Sequence, residues 1–516
     1  MSVISLEFFS FFVLVLIIYY LLPGKLQWMW LLAASVFFYM INATWQQSLF
    51  FFIFVAANWI ASFFLGEEKV RRKASYRNIL IFDIAMLMVF KYSAFFYQII
   101  LAIGTAFSAD WSSQAAENFV LHTEELAPFR ISYFALIVIG YITDVYWGKY
   151  APQKNLGKLI LFAGYFPQMT SGPIVQYEEM QERLWGEKHR FSYEKLMRGL
   201  ERVLWGIFKK LVISERCAIV VNTVYSYYEV YAGFYVPLAA AFFALQLYTD
   251  FSGLMDIVLG FSEILGIELP ENFNTPFYST NLSEFWRRWH ITLGGFLRDY
   301  VFYPIQRSNS WRKLRKFCKS KFGKKYESHF NLPVYLGLFA SWFLIGLWHG
   351  GGWNYIFGVG LYMWLVIVAG EILKPFFKWL TNVLKINTEC FSWKMFQRVR
   401  TFFLFIFGLS FFRAESLADG FKMWKSAFSL CNPWIFFDQS IYKLGLEKGE
   451  FQICLIALAV LVVVSFLQQK EAVRDRLFRQ NFLFRLGVFA VLFLLVITWG
   501  YYGTNYNAAD FIYGRF

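Results

Sequence analysis

The sequence predicts an all-α, polytopic membrane protein, and three observations carry that prediction. Hydrophobic residues make up 58% of the 516 positions and charged residues only 16%. Apolar segments long enough to be helices recur along the whole chain. Tyr and Trp, the side chains that suit a water–lipid interface, number 31 and 20.

A soluble domain carries about 25% charged residues, enough to wet its outer face. This chain is too poor in charge to cover its apolar mass with water-facing groups, so lipid must solvate much of it. Apolar stretches lie near residues 5–22, 27–43, 45–65, 79–103, 131–148, 199–221, 231–249, 333–349, 353–372, 399–412, 451–468 and 484–501. With roughly 20 residues needed per crossing, the expectation is about eleven or twelve transmembrane helices. Shorter apolar pieces near 157–170 and 253–267 are expected as re-entrant or partial helices, and Ser416 to Phe428 as an interfacial one. The first segment, Ser5 to Leu22, has no basic stretch before it and reads as a retained helix rather than a cleaved signal. The whole chain, 1–516, reads as one membrane domain without a repeat, ending in helices over about 450–502.

The net charge of +14 gathers in loops: Lys69 to Lys73, Lys149 to Lys158, Arg183 to Arg216, Arg307 to Lys325 and Lys470 to Arg485. Cationic loops between spans are retained on the cytoplasmic side, and this distribution argues against nucleic acid as a partner. The acidic stretch Asp110 to Glu125 then falls outside, which implies an external N-terminus. The five cysteines are scattered without metal-ligand spacing and read as free thiols. No metal site is expected. A phosphate loop, a nucleophile elbow and an H-E-x-x-H zinc motif are also missing from the sequence.

Ionisable groups inside a span cost about 2.5–3.5 kcal/mol each on insertion scales, so they mark either function or pairing. Asp83 and Lys91 fall in one apolar stretch, Asp250 and Asp256 in another. Of the five histidines, His122, His189 and His329 stand in polar loops and are expected to be solvated. His349 is different, because it ends the apolar run Tyr335 to Trp348 and precedes Gly350, Gly351 and Gly352. Glycines there can admit a substrate close to an imidazole, or the ring can simply cap a helix end. His290 closes Asn281-Leu-Ser-Glu-Phe-Trp-Arg-Arg-Trp-His290, read as an interfacial helix on which Glu284 can pair with Arg287 or Arg288.

These segments carry a resemblance. Pro270-Glu-Asn-Phe-Asn-Thr-Pro-Phe-Tyr278, Glu284 to His290 and Phe296-Leu-Arg-Asp-Tyr300 resemble the central signature of the membrane-bound O-acyltransferase (MBOAT) family. Leu347-Trp-His-Gly350 with Trp353 is similar to its second signature, whose histidine is the family's expected catalytic residue. Tyr141 to Gly148, Phe166 to Pro173, Gly206 to Lys210, Tyr248-Thr-Asp-Phe-Ser-Gly253, Phe411 to Ser416 and Phe511 to Phe516 extend the likeness over about 140–516, with a core of about 140–420. The pattern is that of the bacterial branch serving alginate O-acetylation. Arg130 stands where the family pattern has a small residue, usually Gly, and Thr292 replaces the commoner Ser.

The resemblance implies acyl transfer from a thioester to a hydroxyl. Acetyl-CoA is the expected donor, with no covalently bound cofactor. The acceptor is an extracytoplasmic polysaccharide or a relay acetyltransferase, and the location a bacterial inner membrane. His349 is expected as general base and His290 as an auxiliary group, with an oxyanion held by amides around Gly350 to Gly352 or by an imidazole N–H of His290. Trp286, Arg287, Arg288, Asp299, Tyr248, Asp250, Trp348, Gly350 and Asn354 are expected to bind the donor or line the site. D-alanyl transfer to teichoic acid is the alternative within enzymes. A transporter or flippase is the alternative outside them, since such carriers also use membrane carboxylates and histidines.

Overall fold

The computed structural model describes all residues except 67–68, 171, 187, 324–330, 503–511 and 513–516. Every one of the twelve apolar stretches is helical. Among the described residues no strand forms, and the nearest approach to one is an isolated antiparallel bridge between Phe273 and Trp289.

By length and composition alone, fewer helices qualify as spans than there are apolar runs. Among the described residues, seven helices are both long and apolar enough to cross a membrane: Trp45–Gly66, Arg71–Ala106, Tyr235–Ile264, Trp353–Ile372, Phe391–Arg413, Lys448–Gln468 and Phe482–Trp499. An eighth arises if the pair Gln114–Leu126 and Ile131–Trp147, bent by 74°, forms one broken span. Length explains part of the shortfall. Leu6–Leu21 has 16 residues and Leu332–Trp348 has 17. At 1.5 Å per residue each reaches only about 25 Å, short of the roughly 30 Å hydrocarbon core. The stretch near 199–221 is interrupted by the π-helical segment Lys209–Ser214, which carries two lysines. The piece near 253–267 is not a separate element, because Tyr235–Ile264 runs as one 30-residue helix. The segment expected to lie at the interface is helical, Leu417–Ser429, capped by the Ser416 hydroxyl.

The chain divides into two compact units. The first comprises Met1–Leu204 with Leu254–Pro270. Several of its buried polar groups find partners within the unit, as a low-dielectric interior favours. Asn58 donates to Asp83 at 2.7 Å, and the Lys91 ammonium donates to the Ser132 hydroxyl at 2.7 Å. Arg202 pairs with Asp256 at 2.9 Å and Arg198 with Glu263 at 3.4 Å. His189 departs from the solvated state expected of it. It is buried, its Nε2 lies 2.7 Å from the Arg183 carbonyl, and its ring stacks on Tyr19. The Gln27 side chain holds the backbone on either side of that ring's Cα, which draws the loop into the core. His122 is exposed beside Glu125, as expected, and His329 lies outside the described residues.

Arg130 adopts a left-handed conformation, φ 60° and ψ 33°, at the start of Ile131–Trp147. That accounts for a small-residue preference at this position, since glycine enters this region without a Cβ penalty.

The second unit comprises Trp205–Gly253 with Glu271–Tyr506. Glycines set its closest helix contacts. A Cβ on Gly346 would stand 2.6 Å from the Cα of Ile356, and one on Gly358 would stand 2.5 Å from the Gly408 carbonyl oxygen. Helices in lipid gain most from such backbone-to-backbone packing, because lipid tails are as apolar as the side chains they replace. At the far end, Phe482–Trp499 buries only Val496. It is tied down beyond that point, where Arg216 donates to the Trp499 carbonyl at 2.6 Å and the Tyr501 N–H to the Leu211 carbonyl at 3.0 Å.

Candidate active site

Two histidines of the second unit define the candidate site, and each sits where a helix stops. Asn281 opens Leu282–Arg288 by accepting the Glu284 N–H at 2.8 Å. The Glu284 carboxylate returns to the Thr280 N–H and hydroxyl, both at 2.9 Å, and also takes Arg288 at 2.7 Å. The helix ends there. Trp289 is extended, and backbone bonds from Asn274 to Arg288 (2.9 Å) and from Ile291 to Asn272 (3.0 Å) clamp the strand-like turn. His290 is therefore not on a helix one turn beyond Trp286, as its spacing suggests. It occupies a left-handed turn, φ 47° and ψ 51°, from which Ile291–Leu297 begins.

The His290 ring is buried, with 9% of the residue exposed. Its Nδ1 lies 3.2 Å from Asn272 Oδ1, and Phe251 meets the ring edge-on with centroids 4.9 Å apart. Burial first, and the nearness of His349 second, draw the His290 pKa below its ordinary value, so the ring is neutral at physiological pH.

His349 ends the helix Leu332–Trp348, which Asn331 opens by capping the Val334 N–H. Its residue exposure is 4%, and its ring stands edge-on to Phe412 at 5.5 Å. The helix cannot continue, because Gly351 turns left-handed at φ +64°. Gly350, directly after the buried imidazole, is exposed. A Cβ there would stand 2.7 Å from the Tyr355 ring, so the bare backbone is needed for this turn to close.

The other expected residues separate into groups. Trp286 packs on Trp342 at 5.0 Å, on the helix that carries His349. Its indole Nε1 is buried with no hydrogen-bond partner among the described residues. Tyr248 stands among Phe273, Phe277 and Trp289, with centroids 5.7, 5.0 and 5.9 Å away. Trp348 is half-buried, and Asn354 donates to the Ala414 carbonyl at 3.0 Å. Asp299 pairs with its neighbour Arg298 at 2.9 Å. Arg288 is held by Glu284, Thr275 and Gln469, whereas Arg287 is exposed. Asp250 is committed to Lys210 at 2.7 Å, and Lys210 also holds Glu215 at 2.7 Å.

Asn272, Phe251 and Phe412 shape the site without having been singled out in the sequence. All three lie inside the motifs that carry the resemblance, but a contact such as that of Asn272 with His290, across 18 positions, has no local periodicity to betray it.

Two buried imidazoles in one all-helical unit, with an aromatic wall and no nucleophilic Ser or Cys at the turn, fit a membrane acyltransferase. A sequence profile of MBOAT, the membrane-bound O-acyltransferase family, matches residues 72–412, and the chain belongs to that family. It is a multi-pass membrane enzyme, an O-acyltransferase. It is 30% identical to a probable alginate O-acetylase AlgI of Pseudomonas putida, over 87% of this chain and 85% of that protein. It is 27% identical to a peptidoglycan O-acetyltransferase of Helicobacter pylori, over 64% of this chain and 61% of that one. It is also 27% identical to a teichoic acid D-alanyltransferase of Bacillus subtilis, over 52% and 68% of the two chains.

Proposed function

We propose that this enzyme transfers an acetyl group from a cytoplasmic thioester, acetyl-CoA, to a hydroxyl of an extracytoplasmic polysaccharide or of an acetyltransferase that relays it. The observation that carries the reading is the pair His290 and His349, both buried in one unit and close enough for the second to depress the basicity of the first.

The chemistry follows from a neutral base. The acceptor hydroxyl oxygen attacks the thioester carbonyl carbon while an imidazole nitrogen of His349 takes the hydroxyl proton. The C–S bond then breaks, and the same proton leaves with the thiolate. Such a base contributes on the order of 10²–10⁴-fold. The negative charge on the carbonyl oxygen needs donors already in place. The buried, unpartnered Trp286 N–H supports an acceptor-bearing ligand on this side of the unit, because an unmade buried hydrogen bond costs about 1–3 kcal/mol. Exposed Arg287 suits a donor phosphate.

Acetyl is favoured over D-alanyl because the likeness to an O-acetylase runs through 87% of the chain, against 52% for the D-alanyltransferase. By the positive-inside distribution of its loops, the protein resides in a bacterial cytoplasmic membrane with its basic face inward.

The test is reconstitution of the purified protein in vesicles with radiolabelled acetyl-CoA, or with a D-alanyl-loaded carrier, on one side and candidate acceptors on the other. His349→Ala is expected to keep its expression and monodispersity and to lose transfer by at least about 10²-fold. A fully active His349→Ala protein removes this residue from the mechanism. Transfer from the D-alanyl carrier alone replaces the acetyl reading.

A further inference from the structure

We propose that Asn272 is a positioning residue that fixes the ring tautomer of His290, with the proton on Nδ1, and thereby makes Nε2 a hydrogen-bond acceptor rather than a donor. The role given to His290 rests on the acyl-transfer reading above; the tautomer does not.

The argument begins with the orientation of an amide. The side-chain oxygen and nitrogen of an asparagine look alike in shape, so their identities follow from their partners. The backbone N–H of Thr292 lies 3.1 Å from Asn272 Oδ1. A backbone N–H can only donate, so the atom facing it is the oxygen. The Thr292 hydroxyl, 3.0 Å away, donates to the same oxygen. His290 Nδ1 stands 3.2 Å from it. An oxygen with only lone pairs can be approached at that distance only by a nitrogen that carries hydrogen. Nδ1 is that nitrogen.

A neutral imidazole has one N–H. His290 is neutral in its buried place, so its single N–H is spent on Asn272 and Nε2 carries a lone pair. An Nε2 lone pair can take a hydrogen bond or a proton from the His349 ring or from the acceptor hydroxyl. It repels a carbonyl oxygen gaining negative charge. His290 is therefore not the oxyanion donor that a free imidazole could be, and that task falls to N–H groups elsewhere.

The backbone reinforces the arrangement. Asn272 also accepts the Ile291 N–H on its carbonyl at 3.0 Å, so one residue grips both sides of the left-handed turn that aims the ring. Tautomer and orientation are thus set by the same side chain.

The experiment is solid-state NMR of the full-length protein in lipid bilayers with 15N-labelled histidine rings. The signals of His290 are those lost in His290→Gln. In the wild type the expected result is an amine-type Nδ1 and a pyridine-type Nε2. Asn272→Asp, which keeps the accepting oxygen, is expected to retain hydrogen on Nδ1 and to retain transfer within about tenfold. Asn272→Leu is expected to shift the ring to a mixture of tautomers and to lose on the order of 10²-fold in kcat, the scale of a misplaced general base. A wild-type ring protonated on Nε2 overturns the proposal, as does an Asn272→Leu spectrum with the wild-type ring signals. The wild-type spectrum needs no variant to fold. A correct tautomer in a protein that transfers no acyl group overturns the functional reading and leaves this one standing.

Discussion

The Lys210 ammonium donates to the Asp250 carboxylate at 2.7 Å, and the two side chains are only 3% and 1% exposed. In a buried setting this pair holds two segments of the second unit, the π-helical turn Lys209–Ser214 and the part of the long helix that runs from Tyr235 to Gly253. Removing one partner strands a charge, at a cost of about 3–5 kcal/mol. Asp250→Ala is therefore expected to lower the melting temperature in detergent by many degrees. Replacing both, as Lys210→Met with Asp250→Leu, should recover most of that loss. Thermal unfolding followed by intrinsic fluorescence reads both, and a destabilisation left uncorrected by the double change speaks for a role of Asp250 beyond the pair.

Arg287 and Arg288 are neighbours with different duties. Arg288 is engaged by Glu284, Thr275 and Gln469, while Arg287 is exposed at the end of the same helix. Arg287→Ala should raise the KM for acetyl-CoA several-fold, more at low salt than at high, with kcat retained. Arg288→Ala should lower thermal stability instead. Steady-state kinetics at two ionic strengths beside melting curves separates the two.

Gly346 admits the backbone of Ile356 where no Cβ would fit. Gly346→Val should force apart the helices that place His349 and cut transfer by more than tenfold. Gly370 has open space around its Cα, so Gly370→Ala is expected to be silent or to stabilise by roughly 0.5–1 kcal/mol. Transfer assays normalised to folded protein compare them.

Arg130 is left-handed with its guanidinium over the Phe129 ring at 5.1 Å. Two truncations isolate the backbone contribution. Both Arg130→Gly and Arg130→Ala lose the side-chain contacts, but only alanine keeps the strain. The glycine variant should melt higher than the alanine variant, by the equivalent of about 1 kcal/mol. Equal melting temperatures contradict a strained turn.

The helices were legible because apolar runs report burial in lipid or protein alike. Their number as membrane crossings was not, for the same reason: Leu6–Leu21 and Leu332–Trp348 are as apolar as the longer helices but have only 16 and 17 residues. At the site, His349 was legible because three glycines break an apolar run behind it. The motif brought attention to His290, yet it misplaced the ring on a helix, since nothing in Trp286 to His290 announces a left-handed residue. Asn272 was out of reach, because its bond to a ring 18 positions away exists only once the turn has closed. Asp250 was visible as a polar residue among apolar ones and Lys210 only as part of a basic stretch, while their partnership depends on how two segments pack.

The last helix, Phe482–Trp499, has a further consequence. It is fastened at its C-terminal end through Arg216 and Leu211 and buries one side chain along its length. Hydrocarbon gives an apolar helix no reason to lean inward. It is a mast stepped at one end, with few protein contacts along the rest of its length to fix its tilt. Whatever protein or lipid lies against its outer face meets an almost wholly exposed apolar surface.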